Sequence, residues 1–158
     1  MPGVDASHGL RITPDHRVLY ASSGQYLAAA RIDDPRVVID TSLYAAAASS
    51  LEEARYLTSV LNSPATTRLT TPGQARGGHN PRHFHKLVWR LPIPLFDAED
   101  ATHRQLVELA AQAEALAAAT DVTGKLTFQA QRRLIREELE REGIADAIDA
   151  LVLDLLKP

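Results

Sequence analysis

Apolar and polar positions change rhythm along the chain, and the changes mark out its elements. Arg17-Val18-Leu19-Tyr20 predicts a short strand closed by a Ser22-Ser23-Gly24 turn. Residues 25–32 give little contrast between alternate positions and fit strand or helix. After the turn residues Asp33-Asp34-Pro35, the β-branched cluster in residues 36–44 predicts the best strand of the chain, which alanines 45–48 could prolong. Ser49 or Ser50, followed by Glu52 and Glu53, marks a helix start. Leu51, Ala54, Leu57 and Leu61, with Tyr56 and Val60 beside them, then form one apolar face, and Asn62-Ser63-Pro64 ends it. A short helix is expected over 65–71, and a strand or one helical turn over 85–91. Pro92 and Pro94 lack amide donors, so 91–95 is expected as an extended edge.

Three helices are expected after Asp97. The first runs to about Ala119 and carries Leu106, Leu109, Ala113 and Leu116 as its stripe. The second covers 128–142, with Phe128, Ile135 and Leu139 on one side and Gly143 as its C-terminal cap. The third places Ile144, Ile148, Leu151, Val152, Leu155 and Leu156 at helical spacing. The expected fold is α+β. A small mixed or antiparallel sheet comes from 17–48 and 84–95, a helix at 50–62 packs on it, and a three-helix C-terminal tail follows. The organisation reads as a flexible arm at 1–16, an α+β part at 17–96 and a helical part at 97–158.

Composition adds limits. At 158 residues the chain suits one domain, or one domain with a helical extension. It has no cysteine, which excludes disulfides and thiolate metal sites. The first residues hold no apolar core segment, so no signal peptide is expected. No apolar run approaches the ~18 residues of a membrane span. A cytoplasmic location with no membrane partner is the expectation.

The net charge of −3 hides a segregation. Residues 1–55 carry seven acids and five bases, and residues 97–158 carry thirteen and seven. The 41 residues from Tyr56 to Phe96 carry no acid and five bases: Arg68, Arg76, Arg82, Lys86 and Arg90. Only this middle is a candidate polyanion site. Gly73, Gly77 and Gly78 would let backbone approach a phosphate, and Arg76 and Arg82 can pair with phosphate or read guanine. Gln74 and Asn80 can supply adenine contacts. His79, His83 and His85 complete the candidate DNA-binding set, and their spacing also suits a metal nuclease, although the nearest following acid is Asp97. The bland alternative is a solvated surface loop. Trp89 reads as core rather than as a base-stacking platform. No catalytic residue is assigned. No carboxylate dyad stands out, and no serine sits in a nucleophile turn.

Several segments carry a resemblance. Glu53-Ala54-Arg55-Tyr56-Leu57, Leu61-Asn62-Ser63-Pro64, Arg82-His83-Phe84-His85-Lys86 and Leu91-Pro92-Ile93-Pro94-Leu95-Phe96-Asp97 occur in that order. With the tail RRLIREELEREGIADAIDALVLDLL, they resemble the C-terminal part of large adenine-specific DNA methyltransferases of fused type II restriction–modification systems. The resemblance spans about Tyr26 to Lys157. It implies a target-recognition domain that holds double-stranded DNA, while a separate N-terminal domain binds S-adenosylmethionine and methylates a flipped adenine. The catalytic signature of that family, Asn-Pro-Pro followed by an aromatic, is absent: Asn80-Pro81 is followed by Arg82. The resemblance therefore implies the specificity end without its catalytic domain. Such a chain carries no cofactor, is not an enzyme on its own, and partners a methyltransferase domain in cis or trans. Two other functions stay open: a helical docking or dimerisation module, and a nuclease using His79, His83 and His85.

Overall fold

A computed structural model describes residues 15–73, 83–124 and 127–157. Its sheet has three antiparallel strands in the order β2-β1-β3. β1 (His16–Ala21) lies in the middle, β2 (Ala29–Ile32) on one side and β3 (Leu43–Ala48) on the other. Leu19 stands opposite both Ala30 and Ala45. The β1–β2 turn is tied by the Ala21 amide donating to Ala28 O at 2.9 Å. Gly24 has φ +149°, a conformation side chains disfavour.

Residues 36–42, expected as strand, form a loop instead. Asp40 accounts for the difference. Its carboxylate accepts from the Ser42 amide at 2.8 Å and its carbonyl from the Leu43 amide at 3.1 Å, closing a turn before β3. Arg17 holds the same loop from below, its buried guanidinium donating to the carbonyls of Asp34 and Val37. The strand that follows is built mostly of alanines 45–48. Pairing with β1 overrides their helical preference.

Helix α1 (Leu51–Asn62) starts at Ser50, whose hydroxyl accepts from the Glu53 amide at 3.1 Å. The Glu53 carboxylate reaches back to the Ser49 amide, a capping box displaced by one residue. The helix buries two faces rather than the one expected. Ala54 and Leu61 join Val18, Tyr20, Leu27, Ala48, Phe84 and Val88 in a core under the sheet. Tyr56 and Val60 join Ala65, Leu106, Val152 and Leu156 in a second core among the helices. Leu57 and Ile93 pack against both.

Helix α2 (Pro64–Thr70) follows with proline in its first turn, and a 3-10 turn (Thr71–Gly73) extends it. A 3-10 helix at His85–Arg90 and an irregular stretch to Asp97, with a tight turn where the Ile93 amide donates to Leu91 O at 2.8 Å, take the place of the sheet strand expected at 84–95. Only an isolated bridge, Ser23 to His83, approaches the sheet there. Pro92 and Pro94 could not donate to a ladder.

Helix α3 (Ala101–Ala119) is capped by Asp100, which accepts from the Thr102 and His103 amides. Its fully buried seam is His103, Leu106 and Ala110, one step round from the expected stripe. Helices α4 (Phe128–Arg141) and α5 (Ile144–Leu155) are joined through Gly143, which ends the first of them in the left-handed conformation at φ +72°. α5 packs against α1, α2 and α3, whereas α4 packs mainly on α3 and α5, lays Arg136 over the Tyr26 ring at 5.3 Å, and buries no described side chain fully. Among the described residues, no helix is long and apolar enough to cross a membrane.

Candidate nucleic-acid interface

The acid-free window runs through α1, α2 and the 3-10 helix, and its two ends are fixed differently. On the N-terminal side, Thr67 anchors α2 to the β1–β2 turn: its hydroxyl accepts from the Leu27 amide at 3.1 Å. Gly73 lies close against Leu87: a Cβ there would meet Leu87 Cδ2 at 3.0 Å, tight enough that the leucine would have to shift. On the C-terminal side, the Phe84 amide donates to Ser22 O at 2.9 Å and the buried Phe84 and Val88 rings and methyls enter the core.

Gln74, Arg76, Gly77, Gly78, His79, Asn80 and Arg82 lie outside the described residues. His85 and Lys86 open the 3-10 helix; their side chains fall outside the description too. Three candidates can be placed. His83 is exposed at its bridge to Ser23. Arg90 is exposed, and its guanidinium makes no hydrogen bond or ion pair with a described residue. Arg68 is exposed but committed: it donates to Asp149 Oδ2 at 2.9 Å.

Asp149 does more than hold Arg68. From α5 it accepts from the Ser63 hydroxyl at 2.5 Å and from the Ala65 amide at 2.6 Å, so it caps α2 across the tertiary fold. Burial pushes its carboxyl up, but the bonds from Ser63, Arg68 and Ala65 outweigh burial and hold it below the usual carboxylate range. The acid-free window is thus partly neutralised by an acid from the tail, which sequence segregation alone could not reveal.

A second charge network lies across the sheet edge. Glu114 on α3 accepts from Arg31 Nε at 2.9 Å and Arg55 Nη2 at 2.9 Å, and Arg31 also pairs with Asp33. His16 Nδ1 lies 3.0 Å from Asp33. Burial raises Glu114, yet its hydrogen bonds from Arg31 and Arg55 leave it lowered overall. Both arginines lie outside the basic window and are absorbed by structure.

Trp89, expected in the core, is 43% exposed. Its Nε1 donates to Tyr20 Oη at 2.8 Å, and the two rings meet edge-on at 5.8 Å. Tyr20 in turn stacks on Tyr44 at 5.5 Å. The shift has a simple cause. In the 3-10 helix Val88 takes the inward position, so its neighbour Trp89 turns outward. Among the described residues no group of three or more His, Asp or Glu could hold a metal ion.

No protein-family model, curated protein or solved structure matches the chain.

Proposed function

We propose that the chain is a sequence-specific DNA-recognition domain of an adenine DNA methyltransferase or restriction–modification enzyme, acting beside a separate catalytic domain. The observation that carries this reading is the 41-residue window with five bases and no acid, embedded in a chain of net charge −3. Arg90 and His83 present part of that window to solvent, and His83 directly follows in sequence the segment 74–82 that holds Arg76 and Arg82. The methyltransferase connection rests on the motif resemblance alone. On this reading the chain binds no S-adenosylmethionine and performs no chemistry by itself.

The test is a salt titration of duplex binding by fluorescence anisotropy, over a pool of sequences. Affinity should fall with salt at a slope of about 0.9 per phosphate contacted. Replacing Arg76 and Arg82 together by Ala should flatten that slope by up to about two units. Gln74→Ala or Asn80→Ala should alter preference among sequences at nearly constant slope, because base contacts specify and phosphate contacts position. Absence of duplex binding at low salt would defeat the reading.

A second reading, the helical docking module, is favoured by α4. No described side chain of that helix is fully buried, and Phe128 at its start is 66% exposed. Its failure or success is read by mixing the chain with a methyltransferase catalytic domain and measuring association with and without Phe128→Glu.

A further inference from the structure

Trp89 combines three properties that core packing does not require together. It is the only tryptophan, it is among the large apolar side chains left exposed, and its ring is fixed rather than free. The fixing comes from the edge that carries Nε1, through the bond to Tyr20 Oη. That bond satisfies the one polar atom of the indole, so what remains for solvent is mainly carbon ring. Tyr20 is itself held from behind by Tyr44 and by the sheet core. Next along the chain stands Arg90, exposed and making no ion pair with a described residue. Five residues before Trp89 the buried Phe84 donates its amide to Ser22 O at 2.9 Å.

A rigid, exposed aromatic ring, followed in the chain by an exposed arginine whose guanidinium has no partner among the described residues, is a combination suited to stacking a nucleobase and pairing its phosphate. A base in a duplex offers its faces only to its neighbours, so such a ring selects bases that are unpaired. We propose that Trp89 is a stacking platform for an unpaired nucleobase, with Arg90 holding the adjoining phosphate. The proposal rests on the nucleic-acid reading above and deepens it: the surface takes single-stranded or locally unpaired DNA as well as duplex. The platform tolerates any base, since every base presents a π face, and adds affinity rather than sequence preference.

Because Trp89 is the only tryptophan, the full chain reports on itself. A 16-nucleotide strand and its fully paired duplex are titrated at low salt. Anisotropy of a 5′-labelled strand reads binding, and intrinsic tryptophan emission, on unlabelled strands, reads Trp89. The single strand should quench Trp89 emission by at least about half, and the duplex much less. Trp89→Ala should weaken single-strand binding roughly 5- to 100-fold and duplex binding less than about twofold, whereas Trp89→Phe should keep most of the single-strand affinity. The quenching measurement uses the unmodified chain, so it stands even if a variant folds poorly. Single-strand binding by anisotropy with unchanged Trp89 emission would overturn the platform and leave the DNA reading intact. No binding of either probe would overturn both.

Discussion

Tyr56 shows how one side chain ties the interior to the acid-free stretch. Its ring lies 4.5 Å from His103 and 5.6 Å from Phe96 between centroids, and its hydroxyl donates to Pro94 O at 2.9 Å. Burial, reinforced by the Asp100 carboxylate, pushes its phenol up to about 12 from an ordinary 10.0. The folded state therefore keeps a proton that the unfolded chain releases. The associated stability is fully present below about pH 10 and is lost as pH rises towards about 12. Tyr56→Phe should cost about 1 kcal/mol at neutral pH through the lost hydrogen bond. It should also flatten the alkaline limb of stability. Urea midpoints from pH 8 to pH 11.5 measure both effects, and an equally steep limb in the variant would assign the alkaline loss to other groups. At this scale the sequence was informative where the physics is local. Ser50 and Gly143 declared themselves because a hydroxyl cap and a left-handed turn need only neighbouring residues. Burial of His103 and exposure of Trp89 depend on which partners arrive from elsewhere, and spacing along the chain carries no such signal.

Among the elements, α2 is the one least able to stand alone. It has seven residues, three of them threonines, far below the length at which an isolated helix holds. Asp149 supplies from α5 what α2 lacks, accepting from Ser63 and Ala65 at its start and pairing Arg68 in its last turn. Asp149→Ala should cost about 1–2 kcal/mol as a lost cap, and should release Arg68 to solvent. Asp149→Asn keeps an acceptor oxygen for Ser63 and Ala65 and should recover most of that loss at neutral pH. The Asp149 carboxyl is held below its ordinary 3.8, so its charge-dependent stability is present above about pH 3.8 and is lost as pH falls through the folded value. The Asn variant should therefore show a shallower acid limb than the parent in thermal melts below pH 4. The helices were legible in the sequence because their apolar periodicity spans three or more turns. The sheet was less so. The β-branched Val37, Val38 and Ile39 belong to a loop because Arg17 and Asp40 offer that backbone better partners than a strand would. Alanines 45–48 carry no β signal at all and become strand only through β1. Of the candidate interface, the charge segregation was visible, but the removal of Arg68 by an acid more than eighty residues away was not.

For the molecule as a whole, the question is whether a sheet part and a helical tail, separable near residue 97 in the sequence, behave as one unit. Besides Asp149 and the Tyr56–His103 contact, three further links cross that point. Leu57 and Ile93 pack into both cores, Ser59 donates to Leu106 O at 3.1 Å, and Glu114 on α3 joins Arg31 of β2 to Arg55 of α1. Loss of one core exposes the shared side chains of the other, so the free energies are coupled. Urea unfolding should then give one transition. Trp89 emission reports the sheet side, far-UV ellipticity reports mainly the helices, and their midpoints should coincide. Glu114→Ala leaves Arg55 without its acid and Arg31 with Asp33 alone. The cost should be about 1–2 kcal/mol, between exposed and buried ion pairs, because the three side chains are only partly screened from water. In a coupled molecule that variant shifts both midpoints equally, although Glu114 lies in the tail and Trp89 in the sheet part. If ellipticity shifted while Trp89 emission did not, the tail would be an independent unit. The surface proposed at Trp89 and Arg90 would then be free to work without it.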